Sequence, residues 1–388
     1  MESSAVTGLY KMDCTSVGIP VPTLRQTSPV TWRLSADIEG REVFIESSVP
    51  LSARPEVFLS AFYLQSMWRR ARVEVAGALD PTTFENLAFI RRRAAEWWPQ
   101  LGGGELIAQR REPAPRGPYA GTFYTGGVDS SYVLQQLHPE LKYAVFVEGF
   151  DIPLNDGARL AKAREWLSAT ARACGVDFLV VRTNLREHPF FGAVNWEITH
   201  IAALAAVAHA LADQCHKLYV AASDVPPPWG SAPDLDAAWS SGSVAIHNFS
   251  AELSRLDRAR SIAKWEPLRG RLRVCWENNT GDLNCGFCEK CVRTRMQLYV
   301  SGARDGLDSF PSGSPIESCL ARLLIEHSLH GQWREIAAAV DDPRLSKAIA
   351  RALRRTSPMM DLWHKGKRKV GRIVGRAMAR RRPEAPVL

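Results

Sequence analysis

The chain has 388 residues, of which 46% are hydrophobic and 23% charged, a composition ordinary for a soluble globular protein of one large or two unequal domains. Its formal net charge is +8, but Arg351 to Arg382 holds twelve Lys or Arg against one acid, Asp361, leaving −3 for everything else; a basic, nucleic-acid-type surface over the whole body is thereby excluded. No apolar run approaches the ~20 residues that span a bilayer, and Met1 to Thr15 has neither a basic n-region nor a long apolar h-region, so the expected location is cytoplasmic.

Residues Thr31 to Ile38 and Glu42 to Ile45 alternate apolar and polar positions around Glu39-Gly40-Arg41, which predicts a β-hairpin. From Pro55 the period changes. Val57 to Val75 and Thr82 to Trp98 carry apolar residues at helical spacing, predicting a helical pair that ends at Leu101-Gly102-Gly103-Gly104. The Pro- and Gly-containing stretch Pro113 to Pro118 reads as a linker closing a small α+β module over residues 1–118.

Beyond it the pattern becomes strand, loop, helix, repeated. Strands are predicted at Tyr119 to Tyr124, Tyr143 to Glu148, Asp177 to Arg182 and Lys217 to Ala222, with helices at Ser130 to Leu137, Ala158 to Cys174 and Trp196 to Gln214. Such alternation implies an α/β fold with a doubly wound parallel sheet over residues 119–305, and ligands in such sheets sit beyond the carboxyl ends of the strands. Residues 306–388 are expected to be helical and to end in the basic tail, a solvated terminus or a dock for RNA, an acidic partner or anionic lipid.

Two motifs carry chemistry. The first predicted strand runs into Thr125-Gly126-Gly127-Val128-Asp129-Ser130-Ser131 and then a helix, an anion cradle in which adjacent glycines let backbone N–H groups approach a phosphate while the helix dipole points at it. The loop has no lysine, and no G-x-x-x-x-G-K-[ST] occurs anywhere, which excludes a Walker-type site. The second motif places four of the eight cysteines within seventeen residues, as Cys275-x9-Cys285-x2-Cys288-x2-Cys291 followed by Val292-Arg293. In a large chain this spacing predicts a closed, structural tetrathiolate zinc site, an iron–sulfur cluster being the alternative.

The first motif resembles the S-G-G-x-D-S signature of the PP-loop ATP pyrophosphatases, with Thr125 in place of the first serine. Together with the cysteine motif at this distance it looks like 7-cyano-7-deazaguanine synthase of the queuosine pathway and its relatives, over roughly Tyr119 to Val300. The resemblance implies a Rossmann-like fold and a loop that grips the pyrophosphate of ATP. It makes Asp129, associated with Mg²⁺ and loop geometry, and Ser130 the expected catalytic residues. The implied reaction is adenylation of a carboxylate or amide oxygen, AMP and diphosphate being formed, followed by attack of ammonia or another amine. It also implies a homodimer. The extra residues before Tyr119, the sequence Glu148-Gly149-Phe150-Asp151 and the basic tail depart from the synthase, so the acceptor stays open; amine or sulfur transfer to an adenylated RNA base, or a non-catalytic adenylate-binding protein, are the alternatives.

Thr125 to Ser131 are thus the expected nucleotide-binding residues, joined by Glu148, Ser223 and Asp224 at the ends of predicted strands. Gly230-Ser231, Trp239-Ser240-Ser241 and Arg255 resemble a substrate or phosphate loop of the relatives. His200 and His209, in an Ala- and Leu-rich helix, read as hydrogen-bonded core histidines. A fused class II glutaminase is not expected, because Glu2 follows Met1.

Overall fold

A computed structural model describes residues 16–303, 308–311 and 315–355; Cys14 and the tail beyond Arg355 lie outside the described residues. The first strands are β1 (Ser16–Ile19), β2 (Thr23–Ser28), β3 (Thr31–Ile38) and β4 (Arg41–Ser47). β3 and β4 form the expected hairpin, with Ile38 opposite Arg41. Its two connecting residues, Glu39 and Gly40, both have positive φ, the backbone that a two-residue hairpin turn demands.

Next come α1 (Glu56–Trp68), β5 (Arg72–Leu79), α2 (Pro81–Trp97) and β6 (Leu106–Arg110). The first predicted helix therefore does not run to Val75. It stops at Trp68, Arg70 turns the chain at φ 58, and Arg72–Leu79 is a strand whose buried Val73 and half-buried Val75 mimic a further helical turn in the sequence. β1, β5 and β6 make a small all-parallel sheet of their own.

The remaining elements are β7 (Tyr119–Phe123), α3 (Val128–Leu137), β8 (Tyr143–Glu148), α4 (Gly157–Ala173), β9 (Asp177–Thr183), α5 (Trp196–Ala210), β10 (Cys215–Ala221), α6 (Pro233–Ala238), β11 (Ala245–Phe249) and α7 (Arg255–Ile262). Then follow α8 (Glu289–Val300), α9 (Ile316–Arg322), α10 (His330–Ala339) and α11 (Pro343–Arg355). The main sheet has the order β11-β10-β7-β8-β9-β4-β3-β2. Its first five strands are parallel, and β4 joins antiparallel to β9. The segment before Tyr119 is thus α+β in content, and its hairpin extends the main sheet.

Alternation along β8 shows how the sheet is covered. Tyr143, Val145 and Val147 enter a core shared with α1 and α5, whereas Ala144 and Phe146 enter a second core with α3 and α4. The molecule is therefore α/β, with helices on both faces of a mostly parallel sheet. Strand order reverses between β7 and β10, so the chain leaves β7 and β10 in opposite directions and opens a crevice at their carboxyl ends. The loop after β7 lies there. Helices α8 to α11 close a further core around Trp333. No helix among the described residues is long and apolar enough to cross a membrane.

His209 is a core residue, as expected: its Nε2 lies 3.0 Å from the Trp239 carbonyl and its Nδ1 3.4 Å from the Ser241 hydroxyl. Burial pushes its pKa down to about 4. An unfolded histidine titrates near ~6.5, so the unfolded chain binds a proton that the folded one refuses. The stability contributed is complete above that value and is lost as pH falls through it toward the folded pKa. Urea unfolding should show wild type losing about 2–3 kcal/mol more between pH 7 and 4 than His209→Gln, which cannot titrate.

Candidate nucleotide-anion site and metal centre

The crevice is built first from backbone. β7 delivers the chain to Thr125-Gly126-Gly127, and α3 starts at Val128 with Gly127 as its N-cap and no side chain capping its first amides, which are left directed at the crevice. Gly126 is required twice over. Its φ is +73°, and a Cβ there would lie 2.5 Å from the Leu167 side chain on α4. Ser130 folds back over the loop, its Oγ 3.3 Å from both the Thr125 amide, which donates to it, and the Thr125 hydroxyl. These two hydroxyls therefore tie the loop to the first turn of α3. Ser131 is fully buried beside Tyr124 and serves the core.

Charge then enters from outside the motif. Asp129 is paired with Arg255 and with Arg258, whose Nη1 lies 2.9 Å from Oδ1. These arginines stand three residues apart on α7, one turn of one face, directly after the Ser254 N-cap. Burial would raise the Asp129 pKa, but the two guanidinium groups outweigh it and hold the carboxyl below the usual range. Asp224, just after β10, accepts from the Arg255 amide at 2.5 Å and lies 3.5 Å from Arg258 Nη2. Its own pKa is pushed up by burial. Arg273 closes the other side: its amide donates to the Gly126 carbonyl at 2.8 Å, and its guanidinium lies 3.5 Å from Asp151. Half-buried Lys290 also faces this group, and burial with repulsion from Arg255 lowers its pKa.

The side chains of Arg255, Arg258 and Arg273 are 5%, 1% and 2% exposed. Even so, Arg255 Nε and Nη2, Arg258 Nε and Arg273 Nε and Nη2 have no hydrogen-bond partner among the described residues. Buried guanidinium N–H groups without acceptors are expensive, and their convergence on a glycine loop and a helix N-terminus is an arrangement suited to a polyanion. The sequence singled out Arg255 only as part of a loop and missed Arg258 and Arg273. The Arg-x-x-Arg spacing after Ser254 was the available signal for Arg258; for Arg273 there was none beyond its closeness to Cys275.

The other expected site residues fall outside this group. Glu148 is fully buried and held by Arg164 through bonds of 2.5 and 2.7 Å, with Arg182 at 3.3 Å. The following Gly149 has φ +94°, and a Cβ there would lie 2.0 Å from the Thr183 carbonyl oxygen. The Ser223 hydroxyl accepts from the Val225 amide at 3.2 Å. Ser231 donates to Asp236 at 2.7 Å, and Trp239 is a core residue, so of that stretch Arg255 alone reaches Asp129.

The four motif cysteines come together as expected, with all four sulfurs within 4.8 Å of one another. Cys275 and Cys288 sulfurs are 3.9 Å apart, and those of Cys285 and Cys291 3.8 Å. A disulfide needs about 2.05 Å, whereas sulfurs at about 2.3 Å from one tetrahedral ion lie about 3.8 Å apart. The group can hold a metal ion such as zinc. Asn284 fixes its approach by accepting from the Val274 and Cys275 amides at 2.8 and 3.2 Å. Those residues directly follow Arg273, and Lys290 lies between Cys288 and Cys291, so one subdomain carries both the cysteines and two cations of the anion site.

On the far side of α8 lies an open cleft of about 1580 Å³ bordered by Trp196, Trp229, Trp276, Phe287 and Arg293. The loop Thr125–Ser131 does not line it. No protein-family model matches the chain, and comparison with curated proteins and with solved structures found no match.

Two outcomes are expected. Elemental analysis should find one bound metal ion per chain, lost in Cys285→Ser/Cys291→Ser with a fall of several degrees in Tm. Gly149→Ala should destabilise by about 2 kcal/mol or more in urea unfolding, because both its φ and the Thr183 carbonyl oppose a side chain.

Proposed function

We propose that the chain is an AMP-forming, ATP-cleaving enzyme of the PP-loop type. In this reading it adenylates an oxygen of carboxylate or amide character, and ammonia or another amine then displaces AMP. The observation that carries the reading is the set of buried, unpartnered guanidinium N–H groups of Arg255 and Arg273, with Nε of Arg258, around the loop Thr125–Ser131.

Each part has a chemical task. The amides of Gly127 to Asp129 with Arg255 and Arg273 hold the β- and γ-phosphates and stabilise the charge that develops on diphosphate as it leaves the α-phosphorus, while Arg258, whose Nη groups bond the Ala222, Ser250 and Leu253 carbonyls, positions Asp129. Thr125 and Ser130 keep the loop in shape. Mg²⁺, when bound, screens the phosphates, and Asp129 and Asp224 are the carboxylates at hand to supply its protein oxygens. Asp129 is paired with Arg255 and Arg258 in the structure, so binding of a triphosphate would redistribute that contact. The acceptor oxygen attacks the α-phosphorus, diphosphate departs, and an amine adds to the activated carbon and expels AMP. No covalent bond to the protein is needed.

Zinc is the ion we assign to the four cysteines, with a structural task. Four thiolates complete a tetrahedron and leave no open position for water, and iron–sulfur cubanes hold their cysteines farther apart because irons and sulfides stand between them.

The test is mass spectrometry of the protein with ATP, Mg²⁺, ammonium and 7-carboxy-7-deazaguanine, with an RNA pool as a second acceptor. AMP is the expected nucleotide product with at least one acceptor, reduced about 100-fold or more in Arg258→Met and Asp129→Asn. ADP in place of AMP, or turnover untouched by either substitution, would overturn the proposal.

A further inference from the structure

We infer that the partner of this chain is single-stranded RNA, with phosphates lying along the exposed face of α11 and unstacked bases entering the cleft beside α8. As an identification of the acceptor, this rests on the adenylation proposed above; as a binding site, it rests on three separate observations.

The first is the surface of α11. Leu345, Ile349 and Ala352 are buried in the core around Trp333, while Arg344, Lys347, Arg351 and Arg354 are exposed. The spacing of 3, 4 and 3 residues places these four cations within one narrow arc of the helix, over about 15 Å of its length. No acid occurs between Pro343 and Arg355. Asp341 and Asp342 offset the stripe only at its N-terminal end, so it carries self-repulsion that a line of phosphates relieves. A bilayer is a poor match. A membrane-surface helix inserts its apolar face between lipids, and here that face is already buried in protein.

The second observation is where the stripe leads. Arg355, at the end of α11, donates to the carbonyls of Leu320 at 2.6 Å and Leu323 at 3.3 Å, which binds α11 to the C-terminal end of α9. Arg322 and Leu323, in the same turn, form part of the cleft wall. Stripe and cleft are therefore contiguous through α9.

The third is the cleft itself. Its volume of about 1580 Å³ exceeds the roughly 300–1,000 Å³ of ordinary small-molecule pockets. Trp276 and Phe287 stand 45% and 47% exposed in its lining. Trp196 and Trp229 also line it, each in tilted ring contact with His200 behind them, with centroids 6.1 and 5.6 Å apart. Acidic and basic side chains line the cleft in near-equal number, so it offers stacking surfaces more than charge. A basic track beside aromatic platforms is the arrangement by which proteins hold single strands, and unstacked bases are what RNA loops and ends present.

The test is fluorescence anisotropy of a labelled, unstructured 20-nucleotide RNA with the full chain, without ATP, over a salt series. Wild type should bind with a strong salt dependence. In R344E/K347E/R351E/R354E, with Tm unchanged, the affinity should fall at least tenfold and the slope of log K against log salt by about 3. Trp276→Ala/Phe287→Ala should weaken binding about tenfold with the slope unchanged, since stacking is lost and charge is not. RNA binding that survives both sets of substitutions, or phosphatidylserine vesicles or polyglutamate displacing RNA at equal charge, would overturn the inference. Because ATP is absent, loss of the adenylation reading would leave this result standing, and the reverse.

Discussion

The arrangement depends on one electrostatic constraint, the burial of three guanidinium groups around a single glycine loop. Taking an ion out of water costs several kcal/mol unless close partners replace its hydration. Asp129, Asp151 and Asp224 supply part of that replacement against Arg255, Arg258, Arg273 and Lys290. Cations remain in excess, and several N–H groups remain without acceptors. Core packing alone gives no reason to keep such groups, and an apolar replacement would commonly be as stable or more so. A multiply charged oxyanion would supply the missing acceptors, and the helix N-terminus at Gly127 adds the same preference.

The cluster also explains why distant parts of the chain belong together. The loop comes from the reversal point of the sheet, Arg255 and Arg258 from α7, and Arg273 and Lys290 from the cysteine subdomain. A metal ion on Cys275, Cys285, Cys288 and Cys291 would fix the chain between Arg273 and Lys290, a segment with little regular structure of its own, and so hold these two cations beside the loop. Helix α8 then has two aspects: Lys290 faces the buried charges, while Glu289 and Arg293 border the open cleft. Glu289 is anchored by Arg293 at 2.9 Å and by the Trp333 indole at 2.8 Å, which joins α8 to the C-terminal helices.

Much of this was legible in the sequence where a local rule applied. The strand-loop-helix repeats from Tyr119 onward and the four-cysteine spacing depend on neighbours in the chain, and both appear in the structure, with α5 ending at Ala210 short of Gln214. β5 was missed because eight residues with Val73 and Val75 inward look like one more turn of the preceding amphipathic helix until Arg70 reverses the backbone. β11 was missed because its five residues carry a weak alternation and gain their order from pairing with β10. Glu148 shows a different limit. Its place at a strand end was correctly read, but the side chain turns toward α4 and is held by Arg164, sixteen residues on. The arginine cluster needs contacts across more than a hundred residues; the Arg-x-x-Arg spacing on α7 marks two of its members but not what they meet.

The central claim is that this cluster is a site for diphosphate, and calorimetric titration of the full chain with inorganic pyrophosphate and with orthophosphate tests it most directly. The account predicts that pyrophosphate binds at least tenfold more tightly than orthophosphate, and that Arg273→Met abolishes the difference while leaving the fold intact by circular dichroism. Equal, weak binding of both anions, or pyrophosphate binding unchanged in Arg273→Met, would contradict it.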